Sequence, residues 1–278
     1  MTNLINFARE PLSMFHMQDK VVVVTGGTGI LGSTYCECLV NTGATVIIAD
    51  LSQDKCDKLA LKLNGDGIGL AKAYAVDLSS EESIKSWAEK IIIENKKIDV
   101  LINNAATKSK NFFKPIDEFS LEEWNSILNV NITAIFLTAK YLGKQMIKQG
   151  AGSIINISSI YGVVGPDQSI YEGSYYEDLG GAINTPLIYS TSKGAVIAMT
   201  KYLASYWGAK GIRTNTLTPG GVFSGQNDIF VEKYSKRVPL NRMADTNEML
   251  GALLFLASDA STYVNGQNLI VDGGLTAW

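Results

Sequence analysis

The sequence predicts one α/β domain, a doubly wound parallel sheet of about seven strands with helices on both faces. Short apolar runs typical of buried strands alternate with longer segments of helical periodicity. The first run, Val21–Thr25, begins with four valines, as expected for a strand covered on both faces. No linker rich in Pro, Gly or Ser divides the 278 residues, so we expect one domain over residues 19–278, after an extension over residues 1–18.

The remaining elements follow from apolar runs for strands and helical periodicity bounded by stop signals, such as Gly43 after the first helix. Strands are predicted at 21–25, 45–49, 70–76, 98–102, 153–157, 212–217 and 268–271. Helices are predicted at 30–41, 53–63, 81–94, 189–210 and 247–257, and residues 121–149 are predicted to hold one long helix, with or without a short helix before it. This alternation predicts crossover connections, with ligands binding beyond the carboxyl ends of the strands. Residues 163–187 break the alternation with a long irregular segment, and a loop of this length in a compact domain is usually functional or disordered.

A glycine-rich segment, Thr25 to Gly32, joins the first strand to the first helix. Its glycines allow a tight turn, and the helix N-terminus offers free N–H groups to a pyrophosphate. A dinucleotide-binding loop of this kind needs a strand before it and a helix after it, and both are predicted here. The predicted cofactor contacts in this segment are Gly26, Thr28, Gly29, Ile30, Leu31 and Gly32.

Acidic and amide side chains follow the next strands, at the same predicted edge of the sheet. Asp50 ends the second strand, where a carboxylate can accept a hydrogen bond from the ribose of NAD and would repel a 2′-phosphate. NAD is therefore predicted in preference to NADP, although Asp50 could instead act only as a cap on the next turn. The other predicted cofactor contacts here are Leu51, Asp77, Leu78, Asn104 and Ala105.

Tyr189 and Lys193 stand four residues apart on a predicted helix and so share one face of it. A nearby ammonium favours the phenolate, and a phenol tuned in this way can exchange a proton with an alcohol or carbonyl. An isolated pair of this kind is weak evidence, because a packed tyrosine beside a solvated lysine gives the same pattern.

Composition excludes several classes of function. The net charge is −3, without a basic patch, so we expect no nucleic-acid partner, and no apolar run is long enough to predict a membrane span. Cys36, Cys38 and Cys56 suggest neither a metal site nor a disulfide framework, and a reduced cytoplasmic location is expected. The single histidine, His16, precedes the first strand and is expected at the surface, which argues against His-based hydrolysis or zinc binding.

Taken together, these residues resemble the short-chain dehydrogenase/reductase family, in its short single-domain Rossmann-type branch. The resemblance covers about residues 19–274. The residues that carry it are Thr25 to Gly32, Asp77, Asn103 to Ala106, Asn131, Ser158-Ser159, Tyr189 to Lys193, Pro219-Gly220 and Val271 to Gly274.

The resemblance implies hydride transfer between a secondary alcohol and nicotinamide, with no metal. It implies a catalytic tetrad of Ser159, Tyr189, Lys193 and Asn131, in which Tyr189 transfers the proton and its pKa falls toward neutrality. Lys193 and the charge of oxidised nicotinamide would cause that fall. Further cofactor contacts implied are Ala106, Pro219, Gly220, Val222 and Ser224, besides Tyr189 and Lys193. A homotetramer or homodimer is also implied.

Two departures from the family pattern leave more than one function open. Ile30 gives a glycine spacing more like that of the extended branch, so an epimerase or dehydratase that retains its NAD remains possible. A 3-oxoacyl-type reductase and a regulator without turnover also stay open. The ending Leu275 to Trp278, with residues 218–225, resembles a bacterial sugar-modification subgroup that includes flagellin-glycan enzymes.

The second departure is an insertion over residues 163–187, which lies where the substrate is expected to enter and is acidic and rich in hydroxyl groups. We expect it to favour a sugar, polyol or amino-bearing alcohol or carbonyl, or else to pack at a subunit interface. A strongly anionic substrate would need compensation from Arg213, Arg237 or Arg242. The acidic residues in the insertion are Asp167, Glu172, Glu177 and Asp178.

Overall fold

The computed structural model describes residues 10–176 and 181–278. Its strands are β1 Val21–Thr25, β2 Thr45–Asp50, β3 Leu70–Ala75, β4 Val100–Asn103, β5 Gly152–Ile157, β6 Tyr175–Tyr176, β7 Gly181–Ala182, β8 Ile212–Pro219 and β9 Asn268–Val271. Seven of these form a sheet in the order β3-β2-β1-β4-β5-β8-β9, in which every pairing is parallel. The predicted doubly wound sheet is confirmed.

Helices cover both faces of this sheet. They are α1 Ile30–Asn41, α2 Gln53–Asp66, α3 Glu81–Asn95, α4 Leu121–Leu128, α5 Ala134–Gln149, α6 Leu187–Trp207, α7 Asp228–Ser235 and α8 Leu250–Ala257. Residues 121–149 hold a short helix and then a long one, the second of the two predicted arrangements, and a π-type turn, Asn129–Thr133, separates α4 from α5. The helix α7 was not predicted from the sequence.

The valine run of β1 has side chains in both layers of the core. Val22 and Val24 pack with α1 and α8 on one face, whereas Val21 and Val23 pack with α3 and α5 on the other. All five residues of the strand are buried. Continuous apolar sequence is therefore required here, because successive side chains of a strand point to opposite faces.

The strand order reverses beside β1, which pairs with β2 on one side and β4 on the other. At this point the helices that follow β1 and β4 leave in opposite directions and open a cleft. Asn104, directly after β4, donates to the carbonyl oxygens of Thr25 and Gly26 at 3.1 and 3.0 Å. This contact joins the two loops that form the floor of the cleft.

Side-chain caps distinguish α1 from the next helices. Ser52 and Ser80 cap the N-termini of α2 and α3 by accepting hydrogen bonds from backbone N–H groups. The N-cap of α1 is Gly29, whose position offers no side-chain cap. The N–H groups in the first turn of α1 are therefore available to an anionic ligand.

The extension contacts its own domain where it is described. A short 3₁₀ helix, Pro11–Phe15, leads to Met17, which is fully buried in the core beside α1. His16 is exposed, as expected. Residues 1–9 lie outside the described residues, and the division of the chain at residues 18 and 19 stays a prediction.

The insertion packs on α7 and contains the 3₁₀ helix Gln168–Tyr171 and the β6–β7 hairpin. Lys233 of α7 donates to the carbonyl oxygens of Ser169 and Glu172 at 3.1 and 2.7 Å. Arg237, just after α7, pairs with Asp167. Glu177 and Asp178, the other acidic residues of the insertion, lie outside the described residues.

In the part of the chain that the structure describes, no helix combines the length and apolar character needed to cross a bilayer.

Candidate active site

A cleft of about 720 Å³ lies at the carboxyl ends of the strands. Every residue predicted to contact a cofactor lines this cleft, together with Ser159. Asn131 lies beneath it. Other residues along its wall were not predicted from the sequence: Lys55, Val76, Ser79, Thr107, Lys108, Val130, Ile157 and Ser158.

The glycine spacing that departs from the family pattern still forms a tight strand-to-helix turn. Gly26 has φ +62°, in the region that favours glycine, and a Cβ on Gly32 would lie 2.0 Å from the Gly26 carbonyl oxygen. Ile30 begins α1 with 60% of its surface exposed in the cleft, where a ligand can cover it. The turn therefore needs glycine at 26 and 32, and tolerates the isoleucine.

Asp50 organises the loop that it faces. One of its carboxylate oxygens accepts from the N–H and hydroxyl of Thr28 at 3.0 and 2.7 Å, and the other accepts from the N–H of Leu51. The carboxylate thus stabilises the turns on either side of it, while it still lines the cleft. Lys55 lines the same cleft as Asp50. Its positive charge was not expected to act on the cofactor when NAD was predicted in preference to NADP.

Asp77 makes a similar local turn after β3. Its carboxylate accepts from the N–H and hydroxyl of Ser79 at 2.8 and 2.6 Å, and these hydrogen bonds lower the pKa of the Asp77 carboxyl. The side chain is therefore a fixed acceptor at the edge of the cleft.

Asn131 connects the cleft wall to α6 from below. Its amide oxygen accepts from the N–H of Thr107 at 2.8 Å, and its amide nitrogen donates to the Ser192 hydroxyl at 3.4 Å. Only 2% of its surface is exposed. It lies in the π-type turn between α4 and α5, a type of helix irregularity that is frequent at functional sites.

Tyr189 and Lys193 lie on one face of α6, as their spacing predicts. The Lys193 ammonium is 5.9 Å from the centre of the Tyr189 ring and donates to the Ile157 carbonyl oxygen at 3.0 Å. The Ser158 hydroxyl donates to the backbone carbonyl of Lys193 at 2.8 Å. These contacts attach α6 to the end of β5 and bring both side chains into the cleft.

Burial is the main influence on the pKa values of this pair. Burial raises the pKa of the Tyr189 hydroxyl, and a hydrogen bond with Ser159 opposes that rise. Burial also lowers the pKa of Lys193 to about 8. The fall of the Tyr189 pKa, which was expected with the charge of oxidised nicotinamide close by, stays a prediction.

A second cavity, of about 440 Å³, adjoins the cleft and shares Ser159, Tyr189 and Val222 with it. We call it the side cavity. Residues 183–186 of the insertion form one wall, and Phe230 and Tyr234 of α7 form another. Its other polar lining residues are Tyr161, Tyr171, Asn184, Thr185, Ser224 and Gln226.

The described acidic residues of the insertion contact cations on or just after α7. Asp167 pairs with Arg237, and Glu172 lies 3.8 Å from the Lys233 ammonium. Neither acidic residue lines the side cavity.

The arginines suggested as compensation do not line the side cavity either. Arg213 donates to carbonyl oxygens of Leu256 and Ser258, Arg237 pairs as above, and Arg242 pairs with Glu248. Lys108, which was not predicted from the sequence, does line the side cavity. The sequence could have indicated this role, because Lys108 lies in the loop after β4, and the loops at this edge of the sheet form the binding site.

Comparison with known proteins matches the chain to the short chain dehydrogenase family over residues 20–175. Residues 172–276 match a second family, described as enoyl-(acyl carrier protein) reductase. The chain therefore belongs to the short-chain dehydrogenase/reductase family, and is an oxidoreductase that interconverts secondary alcohols and ketones with NAD(P).

One relative is D-threitol dehydrogenase of Mycolicibacterium smegmatis, 31% identical over 94% of this chain and 95% of the relative. Gluconate 5-dehydrogenase from Burkholderia cenocepacia, solved with NADP and tartrate, has a TM-score of 0.85 at 29% identity, over 96% of this chain and 99% of the other. A short chain dehydrogenase from Leptospira borgpetersenii with bound NAD⁺ has a TM-score of 0.79 at 33% identity, over 99% and 98%.

The residues present fit a nicotinamide dinucleotide. The uncapped N-terminus of α1 can bind the pyrophosphate, and the Gly26 turn lets it approach the backbone. The described residues hold no cluster of three or more His, Cys, Asp or Glu side chains suited to a metal ion.

Proposed function

We propose that this chain oxidises a secondary alcohol of a polyol, sugar or related polar substrate, or reduces the corresponding ketone, with Tyr189 as the acid–base group. The observation that carries the proposal is the position of Tyr189, at the junction of the cofactor cleft and the side cavity. A substrate in the side cavity would meet the nicotinamide end of the cleft at this hydroxyl.

The proposed roles follow from the contacts. Bound nicotinamide supplies or accepts the hydride. The Ser159 hydroxyl hydrogen-bonds to the Tyr189 oxygen and can hold the substrate oxygen beside it. Lys193 stays largely protonated at neutral pH, since its pKa is about 8, and stabilises the phenolate as the proton leaves.

Asn131 is proposed as a positioning residue. It fixes the loop after β4 through Thr107 and the first half of α6 through Ser192. Both attached segments carry residues of the cleft, so its amide sets the distance between them. The resemblance to the family also implies that Asn131 anchors a water molecule that relays protons from Lys193.

A polar substrate suits the side cavity, because hydroxyl and amide groups alternate there with aromatic rings. The relative that acts on D-threitol supports the same class of substrate. A 3-oxoacyl thioester is the second candidate, supported by a relative from Thermotoga maritima, a 3-oxoacyl-[acyl-carrier-protein] reductase that is 32% identical over 93% of this chain. Membership of a sugar-modification subgroup stays a prediction.

NAD is proposed as the preferred cofactor because Asp50 presents a carboxylate at the adenosine end of the cleft. Lys55 beside it favours the 2′-phosphate of NADP, and the solved relative that contains NADP supports that second candidate. Kinetic constants with both cofactors decide between them.

A homotetramer or homodimer is proposed from the family resemblance and from exposed aromatic side chains. Phe136 of α5 is half exposed, and Tyr202 and Tyr206 of α6 are mostly exposed and stack on each other at 5.6 Å. Light scattering on the purified protein tests this. A cytoplasmic location is proposed from the three free cysteines.

The test of function is a panel of polyols, sugars, hydroxysteroids and a 3-oxoacyl thioester, each assayed with NAD and NADP at the nicotinamide absorbance. We expect net oxidation of at least one polyhydroxy compound. Product formation without any net change in absorbance would instead indicate an epimerase or dehydratase that retains its cofactor. Cofactor binding without any turnover across the panel would favour a regulator.

A further inference from the structure

The charge inside the side cavity is positive. Among the described residues that line it, Lys108 is the one that carries a charge, and the others are polar or apolar. Lys108 follows the Asn104 loop at the end of β4 and lines both the side cavity and the cofactor cleft. A cation therefore lies between the two binding spaces.

The position of the ammonium is defined by two aromatic rings. It lies 5.7 Å from the centre of the Phe112 ring and 5.4 Å from that of Phe113. The Phe112 ring in turn lies 6.3 Å from the Tyr189 ring. Two successive ring contacts thus separate the cation from the proposed acid–base group, a span that suits a short carbon chain.

No ion pair between described residues neutralises Lys108, although most cations near the insertion are paired. Arg237 and Lys233 contact Asp167 and Glu172, and Lys114 pairs with Glu118. Lys108 is an exposed residue, but the two aromatic rings beside its ammonium displace part of the water around it and lower its pKa. A partly desolvated cation without a protein counter-ion favours an anionic ligand group.

We propose that the substrate is a hydroxy acid whose carboxylate binds Lys108 while its secondary alcohol lies against Tyr189. This rests on the proposed function. In the oxidative direction the carbinol carbon gives a hydride to NAD(P)⁺ and the hydroxyl proton goes to Tyr189, which leaves a keto acid with the carboxylate unchanged. An amino-bearing substrate is disfavoured, because its charge has the same sign as the lysine.

A single carboxylate fits better than a phosphate. A phosphate dianion has three acceptor oxygens and usually binds several cations or backbone N–H groups, whereas the side cavity offers one lysine among its described lining residues. Other polar groups that line the cavity, such as Thr185 and Gln226, suit further hydroxyl groups of the substrate. The inferred class is therefore a polyhydroxy monocarboxylate.

The test compares substrates that differ only by a carboxylate: threitol with threonate, and glucitol with gluconate. Lys108→Gln is the variant, and Lys110→Gln is the matched control, since Lys110 is an exposed lysine on the same loop that lines neither space. Binding of all four compounds to the enzyme–NAD(P)⁺ complex is measured by calorimetry, and turnover is measured in parallel.

We expect the wild-type protein to bind a carboxylate compound about 10- to 100-fold more tightly than its neutral partner, the range for a charged hydrogen bond. Lys108→Gln should remove this preference, with the KM for NAD(P)⁺ unchanged, and Lys110→Gln should keep it. Equal binding of acids and neutral polyols by the wild type, or a preference that survives Lys108→Gln, would overturn the inference. A higher cofactor KM in Lys108→Gln would also overturn it, by placing the lysine on the dinucleotide.

Failure of this inference and failure of the proposed function are distinguishable. That function fails if Tyr189→Phe keeps full turnover, whatever Lys108 binds. The carboxylate inference fails on the binding data alone, even in a protein that oxidises neutral polyols through Tyr189.

Discussion

The Lys193 ammonium donates a 3.0 Å hydrogen bond to the Ile157 carbonyl oxygen, at the carboxyl end of β5. This bond gives the buried ammonium a partner within the protein, with 6% of the residue exposed. It also aims the lysine at the last residue of the strand that leads to Ser158 and Ser159. One contact therefore relates the helix that carries the acid–base pair to the loop that carries its serine.

Replacing Tyr189 by Phe tests the acid–base role most directly. We expect kcat/KM to fall by about 10²- to 10⁴-fold, because the ring remains but the hydroxyl that transfers the proton is lost. Cofactor affinity, measured by fluorescence titration, should stay within about twofold. Tyr202→Phe removes a hydroxyl from the exposed face of the same helix and should behave as wild type. Full activity in Tyr189→Phe would contradict the assignment.

Gly32→Ala tests the cofactor loop. The new Cβ would meet the Gly26 carbonyl oxygen at 2.0 Å, so the turn must open and the pyrophosphate contacts must weaken. We expect cofactor affinity to fall by about tenfold or more, together with thermal stability. Gly65→Ala is the matched control, because a Cβ there meets nothing within 4 Å and alanine favours the helix. Unchanged cofactor affinity in Gly32→Ala would show that the dinucleotide binds elsewhere.

Lys193→Met tests the cost of burying the lysine. Because burial lowers the pKa of Lys193 from 10.5 to about 8, the unfolded chain binds more protons at this residue between these two values. The contribution of Lys193 to the free energy of unfolding therefore rises with pH across that window. At pH 7 the variant should be more stable than the wild type by about 1–3 kcal/mol, although inactive, and this gain should shrink toward pH 10.

Urea unfolding at several pH values measures this difference. Lys201→Met, at an exposed lysine of the same helix, should show no such dependence on pH. A stability difference for Lys193→Met that stays constant from pH 7 to 10 would mean that Lys193 keeps its proton in the folded protein across this range, so that burial does not lower its pKa.

Asp50→Asn and Lys55→Gln separate the two determinants of cofactor choice. Loss of the Asp50 charge should raise the KM for NAD and lower that for NADP, because the repulsion of a 2′-phosphate is removed. Loss of Lys55 should raise the KM for NADP alone. The comparison needs kcat/KM for both cofactors in both variants. An equal loss with both cofactors in Asp50→Asn would assign the carboxylate to its bonds with Thr28 and Leu51 only.

The sheet was predictable because its strands are buried on both faces. Each of the seven apolar runs became a strand of the sheet, with boundaries that differ by at most two residues. The position of the break, Asn129–Thr133, was not predictable, since a π-type turn keeps the helical periodicity almost intact on either side. The helix α7 was missed because it is short, eight residues, and lies in a stretch rich in polar residues.

The residues that line the cleft were predictable one by one, because parallel topology brings the ends of the strands to one edge. The side cavity was not. It depends on how residues 163–187 fold onto α7, and on Lys108, whose importance comes from contacts with Phe112 and Phe113 rather than from any motif. The local sequence also did not indicate that Asp167 would pair with Arg237, just after α7, or that Glu172 would lie beside Lys233 of α7.

The attachment of residues 163–187 to α7 has a practical consequence for redesign. Arg237 and Lys233 fasten the insertion from a segment that comes some sixty residues later in the chain. A chimaera that transplants only the insertion from a relative would leave these two cations facing foreign partners. Exchange of substrate preference within the family therefore requires both segments to be moved as a single cassette.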